Sequence, residues 1–210
     1  MSKKRKLALL AAAIAALIVI IDQVVKIWVK THMYMGEDRE IASWFHIRFI
    51  ENNGMAFGWE LGGKYFLTSF RIVAIIAIAI YMYQYIRSRR NPRTFYVVCG
   101  ALIFAGALGN VIDCLFYGLI FNDPMPPAVA QFVPWGQGYE TLMLGRVVDM
   151  LYFPLVEWQM PDWQWLSAVP FLPSAGEHCT FFSPIFNVAD AAVSCAIILL
   201  FVNILFFNKK

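Results

Sequence analysis

Four stretches of about twenty apolar residues run through this chain of 210 residues: Leu7 to Val29, Phe66 to Ile86, Phe95 to about Leu115, and Pro184 to Phe207. A bilayer core about 30 Å thick is crossed by about 20 helical residues at about 1.5 Å each, and in hydrocarbon every backbone N–H and C=O must find its partner inside the segment. The pattern therefore predicts an all-α membrane protein of four transmembrane helices. Composition agrees, with 60% hydrophobic and only 15% charged residues, whereas a water-soluble domain carries about 25% charged residues to face its solvent. The net charge of +3 does not signal a nucleic-acid partner, because the basic residues flank the apolar runs instead of forming a stripe interleaved with aromatics.

Ten of the seventeen Lys and Arg residues sit at span ends, at Lys3 to Lys6, at Arg87, Arg89, Arg90 and Arg93, and at Lys209 and Lys210, with no acid in those stretches. Positive charge is retained in the cytoplasm, so both termini and the 87–94 loop are expected inside, an N-in and C-in topology. Residues 30–65 and 116–183 then face outward. The first span resembles a secretory signal, but Asp22-Gln23-Val24-Val25-Lys26 follows where a small-residue cleavage site would stand, and we read it as an uncleaved anchor. Alternation around Ile47, Phe49 and Glu51, followed by Asn52-Asn53-Gly54, suggests a small outward-facing β-sheet on the membrane. The second outer segment is rich in Pro and Trp, including Trp158, Trp163 and Trp165, and reads as a long irregular interfacial loop. One membrane-embedded domain is expected over residues 1–210, with no repeat and no second domain.

Ionisable residues inside a span cost several kcal/mol by insertion scales and mark candidate functional sites. Counting from the cytoplasmic end places Asp22, Asp113 and Asp190 at about 22 to 27 Å above the inner boundary, one level near the outer leaflet, and Arg71 falls at about the same height. On a helix, residues three or four apart share a face, which pairs Asn110 with Asp113, Asn187 with Asp190, and Asp22 with Lys26. A structural account is available for each pair: Asp22 and Lys26 can neutralise one another, and Asn side chains can bridge helices. Asp190 has no basic residue in its own helix and needs a partner from elsewhere. Asp149 lies outside the spans in the apolar stretch Gly145 to Phe153, which can bring its carboxylate to the level of Asp190.

Two carboxylates held together cannot both ionise comfortably, so the pair retains one proton near neutral pH. The ionised acid can take a proton from water while the protonated one stabilises a developing oxyanion, the chemistry of aspartic proteases. Other hydrolytic schemes lack their parts: the chain has no GxSxG and no HExxH. Four cysteines without a CxxC pair and three scattered histidines suggest neither a disulfide framework nor a metal site, and no cofactor is expected. The alternatives from other classes are a proton- or ion-coupled transporter and a non-catalytic membrane assembly held by polar helix contacts. A transport site belongs near the bilayer midplane, whereas these acids cluster at one surface.

Five blocks in order complete the picture: Asp22-Gln23-Val24-Val25-Lys26, Asn52-Asn53-Gly54-Met55-Ala56-Phe57-Gly58, Gly109-Asn110-Val111-Ile112-Asp113, Val147-Val148-Asp149, and Phe186-Asn187-Val188-Ala189-Asp190. With them the sequence resembles the lipoprotein signal peptidases, also called signal peptidase II, four-helix membrane aspartyl proteases of bacteria. The resemblance implies a catalytic dyad of Asp149 and Asp190, with Asn52, Gly54, Asn110, Asp113 and Asn187 lining the site or holding substrate and Asp22 and Lys26 supporting it. It implies a substrate too, a prolipoprotein cleaved just before a diacylglyceryl-modified Cys. The same likeness implies an enzyme of the bacterial inner membrane among membrane lipids; a monomer is expected, and the depth counting above puts its site near the outer leaflet. The chain departs from the family pattern at Cys114, where Arg usually follows the Asn-x-x-Asp block, and Arg146 or Arg71 is the candidate to replace that charge. It departs also in its long segments between Asp113, Asp149 and Asp190.

Overall fold

The computed structural model describes residues 1–53, 63–163, 174 and 176–207. Four helices dominate it: α1 Lys3–His32, α2 Gly63–Ser88, α3 Thr94–Ile120 and α4 Val188–Phe207. Each is long and apolar enough to cross a membrane. Their large apolar side chains, such as Leu17, Val24, Phe70, Val73, Ile198 and Phe201, point outward, while Asp22, Lys26, Thr68, Asp113 and Asn187 are buried. Apolar outside and polar inside is the arrangement lipid favours, and the chain is an integral membrane protein.

Helix α3 is the centre of the bundle, packed against α1, α2 and α4. Small residues permit this. Ala101, Ala105, Gly106 and Gly109 are buried along α3, and a Cβ at Gly106 would stand 2.3 Å from the Ala189 carbonyl oxygen and 2.5 Å from Val193 Cγ2. Without a hydrophobic drive between helices in lipid, such close approach is what generates packing energy. At one end Lys4 Nζ donates to the Arg87 carbonyl (2.5 Å) and Lys3 Nζ to Asn91 Oδ1, tying the start of α1 to the α2–α3 loop.

A four-stranded antiparallel sheet closes the opposite end, with strands β1 Asp38–Ala42, β2 Phe45–Asn52, β3 Val147–Tyr152 and β6 Ile185–Phe186 in the order β1-β2-β3-β6. Two further strands, β4 Val156–Gln159 and β5 His178–Phe181, pair separately. Registration of Ile50 with Asp149 and of Leu151 with Phe186 makes β3 the strand that joins the first outer segment to the start of α4. Beneath the sheet Val29 and Met33 of α1, Tyr117 of α3, Phe121 beyond it, Phe49 of β2, and Val148 and Met150 of β3 form one apolar core.

Three sequence expectations are corrected here. The last helix begins at Val188 and not at Pro184, because Asn187 accepts from the Asp190 amide as its N-cap and leaves Ile185–Phe186 extended to pair with β3. The third helix continues past Leu115 to Ile120, through a widened π-helical turn at Asp113–Tyr117. The segment after it is not simply irregular: it supplies β3, and before that it folds back to cap the end of α3. Gly145 N donates to the Cys114 carbonyl (2.8 Å), Glu140 N to Gly118 (2.9 Å) and Val133 N to Ile120 (2.9 Å), satisfying carbonyls that a widened turn and a helix end leave open. Gly145 and Gly138 are needed there, since a Cβ would stand 2.1 Å from the Asp113 carbonyl oxygen and 2.0 Å from that of Gly118, respectively.

Candidate active site

The polar residues gather where the helices meet the sheet, in two adjoining clusters. The first belongs to α1 and α3. Lys26 Nζ lies 2.9 Å from Asp22 Oδ2, 2.8 Å from Asp113 Oδ2 and 2.8 Å from Asn110 Oδ1, so the helical spacing of Asp22 and Lys26 becomes an ion pair shared with a second acid. All three side chains are buried. Gln23 Nε2 donates to Asp113 Oδ1 (2.9 Å) and the Gly109 carbonyl (3.2 Å), and its own oxygen accepts from Tyr117 Oη (3.2 Å). Asp22 Oδ1 accepts from the Ala189 amide in the first turn of α4 (2.9 Å), where a helix N-terminus favours an anion. Asp113 Oδ2 also takes the Val148 amide at 3.4 Å. One ammonium and two carboxylates thus hold three helices and β3 together.

The second cluster holds the two acids that sequence chemistry brings together. Asp149, on β3, is buried, and Asp190, in the first turn of α4, is half-buried. Asn187 Nδ2 donates to Asp149 Oδ1 (2.7 Å), and Asn110 Nδ2 donates to Asp190 Oδ1 (2.7 Å). The two amides meet each other, Asn187 Nδ2 to Asn110 Oδ1 at 3.0 Å. The carboxylates are therefore linked through an Asn–Asn bridge, and Asn110 connects that bridge to Lys26. Burial, and then the nearby Asp190 carboxylate, push the Asp149 carboxyl up to about 7, against hydrogen bonds from Asn187 and Asn52 and the charge of Lys26. An acid so placed keeps its proton near neutrality and can donate it, while its less buried neighbour is open to water.

Of the remaining site candidates, Asn52 reaches Asp149 from the end of β2, and Gly54 lies outside the described residues. Arg146 does not turn toward the two acids. Its guanidinium contacts Glu51 Oε2 at 3.1 Å and Asp123 Oδ2 at 3.0 Å and stacks over Tyr139. Arg71 Nη1, in contrast, lies 3.1 Å from Cys114 Sγ. Sequence reasoning passed over Gln23, Lys30, Glu51 and Tyr117. Buried Lys30 pairs with Glu51 and lies over the rings of Phe121 and Tyr139 at 5.3 and 5.1 Å, fixing the strand that delivers Asn52. The available signal was spacing: Lys30 follows Lys26 by one helical turn.

Comparison with known proteins adds identity to this geometry. Residues 14–206 match the family described as signal peptidase (SPase) II. A protein of Porphyromonas gingivalis named lipoprotein signal peptidase is 48% identical over 191 residues, covering 91% of this chain and 80% of that protein. One of the same name from Amoebophilus asiaticus is 34% identical over 193 residues, covering 89% and 74% respectively. A solved structure described as a bacterial membrane enzyme, determined by the in meso method at 1.9 Å, superposes with a TM-score of 0.59 at 26% identity, covering 94% of each chain.

Proposed function

The chain belongs to the signal peptidase II family and is a peptidase, and from that premise we propose that it removes the signal peptide from diacylglyceryl-modified prolipoproteins, cutting just before the lipidated Cys. Asp149 and Asp190 are the catalytic acids in this reading. The observation that carries it is the Asn110–Asn187 bridge, which links one buried and one accessible carboxyl. Asp190 takes a proton from water as the water oxygen attacks the scissile carbonyl, and Asp149 gives its proton to the carbonyl oxygen. Collapse of the tetrahedral intermediate breaks the C–N bond, the amine leaves with the proton held on Asp190, and Asp149 recovers its own from the collapsing hydroxyl. Asn110 and Asn187 orient the acids, Asn52 and Gly54 border the substrate, and the Asp22–Lys26–Asp113 cluster supports them.

In this reading the basic residues at the span ends favour an N-in and C-in orientation, with the sheet outside and the two acids near the outer leaflet of the inner membrane, where the acyl chains of the substrate remain in lipid. The chain works as one domain and as a monomer. Family membership favours hydrolysis over ion-coupled transport. The deciding experiment is cleavage of a diacylglyceryl-modified prolipoprotein in micelles by wild type, Asp149→Asn and Asp190→Asn, beside an unlipidated control. Cleavage by the wild type alone, and only of the lipidated substrate, is expected. Full activity in either Asn variant would remove that acid from the mechanism.

A further inference from the structure

Helix α2 carries no acid, yet its sheet-end half holds two cations, Lys64 and Arg71. They do not face lipid. The buried residues of α2 are Thr68 and Ile75, and positions 64, 68, 71 and 75 form one stripe at helical spacing, so both cations lie on the face turned toward the protein. Contacts along the stripe agree: Lys64 Nζ donates to Asn53 Oδ1 (3.2 Å), Thr68 Oγ1 to the Met143 carbonyl (2.9 Å), and Arg71 Nη1 to Cys114 Sγ (3.1 Å). Cys114 follows Asp113, Asp113 accepts from the Val148 amide, and Asp149 is next along the strand. Arg71, on α2, therefore touches the residue that follows Asp113, and Asp113 in turn accepts from the strand that carries Asp149.

A guanidinium at this depth is expensive unless it has a use. It keeps its charge at every working pH and presents its N–H donors in a planar fork suited to oxygen acceptors. Resting on the reading above, the substrate that enters here is a lipidated peptide, whose acceptors at this depth are neutral carbonyl oxygens. We propose that Arg71 anchors the substrate by donating to its carbonyl oxygens where α2 meets Cys114 of α3, supplying from position 71 the positive charge that position 114 lacks. The carbonyls belong either to the glyceryl esters or to the peptide backbone beside the scissile bond.

The test uses the purified full chain in micelles, with wild type and Asp190→Asn fixing the activity and its dependence on the dyad. Arg71→Gln is expected to lower kcat/KM about ten- to hundredfold, as the loss of a hydrogen bond from a charged donor implies, mainly through KM, and Arg71→Lys is expected to fall between. Because Nη1 and Sγ are in contact, adding Cys114→Arg to Arg71→Gln returns the charge to the same place, and at least tenfold recovery is expected. A dialkyl ether analogue of the substrate distinguishes the sources: the effect of Arg71→Gln vanishes there if the esters are the acceptors and persists if the peptide is. Arg71→Gln within twofold of wild type, or a loss that Cys114→Arg fails to restore in protein with an unchanged melting transition, overturns the proposal. Should Arg71→Gln not fold, Arg71→Lys and the folded double variant decide by the same criterion. A wild type that cleaves nothing removes the peptidase reading, and this inference with it.

Discussion

With Asp149 as the proton donor proposed above, its proton would set an alkaline limit on catalysis. Its side chain is only 2% exposed, and burial together with the Asp190 carboxylate moves it from 3.8 up to about 7. That displacement corresponds to about 4 kcal/mol in favour of the protonated form. If cleavage needs this proton, kcat/KM falls about tenfold for each pH unit above about 7, a loss of about a hundredfold by pH 9. Stability follows the same group. A folded pKa above the unfolded one means that the folded state holds the proton more tightly, so this contribution is complete below about pH 4 and is lost as pH rises to about 7. Asn52→Leu removes a hydrogen bond that favours the ionised form, and its alkaline limb should move upward by about half a unit to one unit. The assay is a pH series of kcat/KM on the lipidated substrate in a non-ionic detergent, with difference infrared spectra following the protonated carboxyl. An alkaline limb at pH 4 to 5, a profile flat to pH 9, or a downward shift in Asn52→Leu would refute the assignment.

Lys26→Met strips the shared counter-ion from two buried acids and should cost about 3–5 kcal/mol; denaturant titration in mixed micelles measures it, and Asp113→Asn added to that variant should restore part of the loss. Gly106→Ala drives a methyl into the Ala189 carbonyl and Val193, and the α3–α4 contact should weaken by about 1–3 kcal/mol or more in the same titration. Glu51→Ala leaves Lys30 without its buried anion and frees one side of Arg146. It should lower stability and, by loosening the strand that delivers Asn52, move the alkaline limb of the pH series in the direction of Asn52→Leu.

Periodicity and length were enough to reveal the four spans, because a helix that must satisfy its own backbone in lipid leaves little choice of structure. The depth arithmetic was equally physical: Asp22, Asp113 and Asp190 are three acids on three helices, and the structure gathers them at one end of the bundle around Lys26 and Asn110. The strand partners were not legible. Strand β3 lies about a hundred residues from β2, and nothing local in Val147–Tyr152 says which edge it joins, since register is decided by distant residues. The start of α4 was misplaced for a similar reason: Pro184-Ile185-Phe186 is apolar enough to continue a span, and only the Asn187 cap and the pairing with β3 take it out of the helix. Arg146 was the natural candidate near Asp149 by sequence distance. A β-strand separates neighbours onto opposite faces, and Arg146 at its start follows Glu51 and Asp123 instead.

Asparagine is what allows the two clusters to lie side by side. Asn110 accepts from Lys26 with its oxygen and donates to Asp190 with its nitrogen, and Asn187 donates to Asp149 while its own oxygen caps α4. A neutral amide can serve both a cation and an anion because its two ends carry opposite polarity. Lys26 therefore pairs with Asp22 and Asp113 by direct contact, and Asp149 and Asp190 are held through the Asn bridge and not by a direct ion pair. Had a lysine stood at position 187, Asp149 would pair with it and lose the elevated pKa that lets it hold a proton at neutral pH. The same residues that fasten the helices thus keep one acid weak enough to donate.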